Sequence, residues 1–305
     1  MLNQEIIIKR LALIKHLYKI GVELSRQFET IAAFSILSLH DSVEMFLKLL
    51  AEHKDIKSEN FNFLDYWTKI PELTLKESMR NLNTRRVNIK HKGLLPSKAD
   101  IEISRVNTTD FFEQNTIIHF DVEWKDISLL TLIQYDKVRQ YLEKAQQALE
   151  ENKIEDCIES AAIAFDELLY TYEDSKSSFF GSSPFYFCEN IESHYIEKND
   201  GNMLEFVDKL KKSLNNIQKA LKILSFGIDY KKFVKFKLLT PIVRRTMGGI
   251  YVTEIWGKKK WTKENCQYCI DFVLDSSLKL QEFDFDINEL IENNISAENI
   301  FIKHK

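Results

Sequence analysis

The chain has 305 residues, 44% hydrophobic and 29% charged, with a formal net charge of -4, a balance that excludes a disordered or collagen-like chain and bounds it to one large or two ordinary domains. With only 8 Gly and 4 Pro it has little material for many tight turns, so a sandwich or barrel is excluded and a mainly α fold is predicted. Four cysteines make no disulfide framework at this size, and the start MLNQEIIIKRLALIKH has neither a basic leader nor a long apolar run, so no signal peptide or membrane span is expected and a cytoplasmic location is.

Residues 4 to 20 read as a first amphipathic helix, which Gly21 ends or weakens. A second helix is predicted from about Arg26 to Lys54, with Phe28, Ile31, Ala32, Ser35, Leu39, Val43, Phe46 and Leu50 in one stripe. His40, Asp41 and Glu44 lie on its flank, either as an exposed polar face or as partners for a cation on a neighbouring helix. Residues 55 to 71 form a connector anchored by Phe61, Phe63, Tyr66 and Trp67.

A third helix starts at about Thr74 and carries Leu75, Met79, Leu82 and Ile89 as its buried stripe. Arg86 occupies the missing position of that rhythm, and a guanidinium on an inward face costs several kcal/mol unless it is paired, hydrated or at an interface. Arg85, one step round, is expected to reach solvent. His91 falls in the last turn before Gly93, a usual helix stop, where the negative end of the helix dipole favours a protonated imidazole. Residues 85 to 99 hold five Lys or Arg and no acid, a local field that a polyanion senses within a Debye length. After Pro96, Ser97 is the expected N-cap of a fourth helix carrying Ile101, Val106, Phe111 and Phe112 to about Ile118.

An Arg followed after four to six residues by His near a helix end is similar to the signature of the HEPN superfamily, small helical domains many of which are metal-independent RNA endonucleases. The wider run of Asn83, Arg86-Val87, Lys90-His91, Gly93 and Pro96 resembles a bacterial branch of it. The resemblance covers residues 1 to about 125 and implies a four-to-five-helix bundle. It implies Arg86 and His91 as the catalytic pair, with Asn83, Arg85, Lys90 and Lys92 contacting RNA. No metal and no cofactor are implied. It further implies 2′,3′-cyclic phosphate products, a homodimer through the N-terminal half, and a role as toxin or effector in antiviral or abortive-infection defence, with a partner protein of such a system. The alternative is a non-catalytic RNA- or nucleotide-binding subunit of a defence complex. Val87 departs from the polar residue that family members usually carry after the Arg, and no Tyr follows two residues beyond His91. Arg10 and His16 also fit the spacing, but in mid-helix with no stop signal.

Residues 126 to 305 are expected to form a second helical domain. Val138 to Glu173 read as two antiparallel helices joined at Asn152-Lys153, like one tetratricopeptide hairpin, though one unit makes no solenoid. A Ser-rich loop, SKSSFFGSSP, and a long helix from about Asn202 to Leu224 follow. Residues 231 to 263 carry ten Lys or Arg against Glu254 alone. VRRTMGG at 243 to 249 resembles TRRVNIKHKG, and Phe165-Asp166 resembles Val43-Glu44, which raises a His-less degenerate repeat of the first domain beside chance similarity. YVTEIWGKKKW is expected to turn at Gly257 as a short β-hairpin. Cys266 and Cys269, a CxxC on a predicted helix without a second pair, read as a buried helix face rather than a metal site.

Overall fold

Asn3, whose side chain accepts from the Glu5 amide, caps α1 (Gln4–Ser25). The helix runs straight through Gly21. A Cβ there would meet Leu39 at 3.0 Å, so Gly21 permits the close approach of α1 to its neighbour and does not end the helix. The computed structural model describes residues 2–177, 183–185, 187, 201–246, 248–254, 260–282 and 284. They are mainly α-helical, with one short antiparallel strand pair among the described residues. The chain divides into two compact units, Met1–Leu132 and Ile133–Lys305.

In the first unit the expected second helix is broken. A turn at Ala33-Phe34 separates α2 (Glu29–Ala32) from α3 (Ser35–His53). The turn resets the helical phase, so Phe28 and Ile31 are 85% and 46% exposed, while Leu39, Val43, Phe46 and Leu50 are fully buried as expected. Thr30–His53 is also long and apolar enough to cross a membrane by length and composition, which corrects the expectation that no such stretch exists. Here the apolar residues of its α3 portion, Ile36, Leu39, Val43, Phe46, Leu47 and Leu50, fill the core of the unit against α1 and the later helices.

The connector seats Tyr66 and Trp67 in the core through a single turn, α4 (Tyr66–Lys69), with the Trp67 indole N–H donating to the Thr74 carbonyl. α5 (Lys76–Lys92) ends at Gly93 in the left-handed conformation, φ 64°, as the sequence predicts. α6 (Lys98–Phe120) opens on a capping box in which Ser97 and Asp100 satisfy each other's amides. Phe111 and Phe112 on α6 meet Phe46 edge to face. Trp124 stacks on Phe112 at 4.2 Å, and Lys15 donates to the carbonyls of Trp124, Lys125 and Ile127. These contacts tie the residues after α6 into the first unit and carry its boundary past 125, to 132.

In the second unit α7 (Asp136–Glu150) and α8 (Ile154–Ser175) form the expected hairpin, turning at Asn152 with φ 60°. α11 (Lys263–Glu282) packs along both, with Cys266 and Cys269 fully buried beside Ile270 and Val273. Between them come α9 (Gly201–Ser225) and α10 (Tyr230–Leu239). The hairpin differs from expectation: β1 (Ile242–Arg245) pairs with β2 (Tyr251–Glu254), and the chain reverses where Gly249 takes φ 74°. Pro241 cannot continue α10, and the residue before it, Thr240, takes extended backbone. The turn expected at Gly257, half of the Ser-rich loop (178–182), Cys188 and the acidic tail beyond Asp284 lie outside the described residues.

Candidate active site

α5 carries all the predicted site residues but spreads them over different faces. Met79 and Leu82 anchor it, 0% and 1% exposed, whereas Leu75 and Ile89 are only half-buried. The helix is continuous to Lys92, so Arg86 and His91 project about 140° apart. His91, Lys90 and Lys92 are exposed, and none of the three has a hydrogen bond or ion pair among the described residues. Arg86 is half-buried, and its Nε is shielded from solvent with no hydrogen-bond partner. No bend of the last turn brings Arg86 and His91 together within one chain.

Arg85 is the arginine with partners, which corrects the expectation that it reaches solvent. Its Nε and Nη2 donate to Asp100 Oδ1 at 3.2 and 2.7 Å, and its Nη1 donates to Ser104 Oγ at 3.1 Å. The reason is local: the capping box turns Asp100 toward the start of α6, where α6 packs on α5 and Arg85 projects. The Ser97 hydroxyl and then Arg85 hold the Asp100 carboxyl below the usual carboxylate range. Arg10 of the second sequence match is likewise engaged, by Glu52 at 2.5 Å.

Arg86 faces the flank of α3, where its charge acts on His40 and Glu44. The His40 ring is 2% exposed and stacks on Phe63 at 4.3 Å. Its Nε2 and Asn83 Oδ1 are 3.1 Å apart, a hydrogen bond that takes the imidazole N–H as donor. Asn83, one turn before Arg86 on the same face, is therefore held to α3 through its Oδ1. The expected acid for Arg86 is present, but Glu44 forms its direct ion pair with Lys48 at 2.8 Å. Arg86 keeps a carboxylate nearby and its guanidinium unbonded. The sequence reading missed the His40–Asn83 bond and the Phe63 stack. The spacing of Asn83 and Arg86 was the available signal, since residues three apart share a helix face.

His40, Asp41 and Glu44 each present a ligand atom within 4.8 Å of the others, a group able to hold a cation that the sequence reading did not anticipate. The positive charge of Arg86 on His40 and Glu44, and Lys48 on Glu44, oppose a cation there. The donor set fits a site for Arg86 better than one for a metal.

The second unit holds a parallel arrangement. Arg245 acts electrostatically on Asp166 as Arg86 does on Glu44, and its Nη1 is also buried without a partner. Its guanidinium lies 3.4 Å over the Tyr170 ring. The backbones differ, however: TRRVNIKHKG is helical and VRR is a strand.

Burial, reinforced by Arg86, holds His40 below the ordinary histidine value, and burial followed by Lys54 lowers His119 to about 4. Both folded values lie below that of an unfolded histidine. Stability is thus fully present above about pH 6.5 and is lost as the pH falls toward the folded values. Thermal melts at about pH 7.5 and about pH 5.5 should show the lower Tm at the lower pH, with a smaller drop in His119→Gln. An equal Tm at both would count against buried neutral histidines.

No family model matches the chain, nor does any curated protein or solved structure.

Proposed function

We propose that the N-terminal unit is a metal-independent RNA endonuclease of the HEPN kind. The observation that supports this most is Arg86: a half-buried arginine whose Nε is shielded and which has no hydrogen bond among the described residues, on the helix whose last turn presents His91. A desolvated, unpaired cation is built to receive an anion. His91 acts as general base and takes the proton of an RNA 2′-hydroxyl. The 2′-oxygen then attacks the adjacent phosphorus, the bond to the 5′-oxygen breaks, the leaving oxygen takes a proton from solvent, and a 2′,3′-cyclic phosphate and a 5′-hydroxyl result. Arg86 holds the scissile phosphate and balances the charge that develops on its oxygens. Lys90 and Lys92 steer the backbone, His40 positions Asn83, and Arg85 fastens α5 to α6.

Because Arg86 and His91 diverge around one helix, the site is completed by a second copy of the chain, as a two-fold homodimer through the N-terminal unit. The biological setting in keeping with the sequence resemblance is cytoplasmic RNA degradation in antiviral or abortive-infection defence, with a partner protein of that system. A second reading, a silent RNA-binding subunit, draws on that same divergence. Cleavage of RNA by the purified protein in excess chelator, with cyclic phosphate ends on the products, is the expected result. A strict magnesium requirement, or binding without cleavage, would defeat the proposal.

A further inference from the structure

The second unit contains a cavity of about 690 Å³ between α8, α9, α10 and the hairpin. Its volume suits a small organic ligand. The buried Phe165, Phe233 and Phe236 line it, with the more exposed Tyr230, and Phe165 lies 5.0 Å from Phe236 and 5.8 Å from Phe233. Such a wall accepts a flat ring system.

Four charged side chains line the same cavity; Glu254 is paired with Arg244, and the other three lie at different depths. Asp166 is half-buried, whereas Lys219 and Lys237 are exposed, and Lys237 is close enough to act on the charge of Lys219. None of the three makes a hydrogen bond or an ion pair among the described residues. Asp166 lines the cavity beside the aromatic wall with no bonded partner among the described residues, so its carboxylate is open to the donors of a ligand. Burial, opposed by Lys219 and Arg245, holds the Asp166 carboxyl above the usual carboxylate range. The order from inside to outside is aromatic wall, then carboxylate, then two ammonium groups. A nucleoside monophosphate has matching parts in that order: a planar base, an edge of N–H donors, and a terminal phosphate. Guanine presents two adjacent donors, N1–H and N2–H, which one carboxylate accepts together.

We propose that this cavity binds a nucleoside monophosphate, with the base against Phe165, Phe233 and Phe236, the guanine edge on Asp166, and the phosphate between Lys219 and Lys237. The site belongs to the second unit and does not depend on RNA cleavage by the first.

Calorimetric titration of the full-length protein with GMP, AMP, guanosine and inorganic phosphate tests it. GMP should bind one to one, with guanosine and phosphate each at least about tenfold weaker. Asp166→Asn should abolish the preference for GMP over AMP, and Lys219→Ala with Lys237→Ala should reduce GMP to the affinity of guanosine. Val234→Trp, which fills the cavity, should lose binding; should that variant not fold in a thermal melt, the two rim lysines carry the comparison. No GMP binding tighter than about 1 mM would overturn the proposal. So would GMP binding no better than guanosine, AMP matching GMP, or affinity unchanged in the lysine variant.

Discussion

Arg86→Ala should slow single-turnover RNA cleavage by on the order of a hundredfold or more, the cost of losing one preorganised group that stabilises developing charge. Arg85→Ala should leave the rate within about threefold, because that guanidinium is occupied by Asp100 and Ser104. Its cost falls on stability instead. The pair is partly exposed, with side chains 19% and 40% accessible, so about 1 kcal/mol is expected, or a Tm lower by about 3–5 °C. Rates at saturating enzyme and thermal melts on both variants decide the matter. A dead Arg85→Ala with an unchanged Tm would show that the helix face has been read wrongly.

Mixing two inactive proteins should restore activity. If each active centre takes Arg86 from one copy and His91 from the other, Arg86→Ala and His91→Ala are each dead alone. A heterodimer of the two has one centre with both groups intact. At equal amounts and free exchange, half of the dimers are mixed and each has one working centre of two, so about a quarter of native activity should return. Centres built within single chains would recover nothing. Sedimentation of the same mixtures checks that dimers form, and a monomer at active concentrations would dispose of the two-copy centre.

Much of the backbone plan was readable from apolar spacing and stop signals. Leu39, Val43, Phe46 and Leu50 kept the stripe that their period announced, and Gly93 and Ser97 took the cap positions that their chemistry favours. Periodicity failed where phase was lost: the turn at Ala33-Phe34 has no Gly or Pro to mark it, and Phe28 and Ile31 rotated into solvent. It also says nothing about what a neighbouring helix offers. The inward lean of Arg86 was legible from its own helix, but the partners of Arg85 stand on α6, so its occupation was not. Why a Gly stands at position 21 was not legible, because intrinsic helix propensity takes no account of a neighbour such as Leu39.

The boundary at residue 132 bears on the order of synthesis. All the helices that close the first core, α1 to α6, and the turns that Lys15 fastens down lie ahead of it. During translation that core has its full set of contacts before α7 leaves the ribosome, since domains generally fold as units from the N-terminus. On a growing chain, the Arg86 environment is therefore assembled while the cavity of the second unit is still unmade.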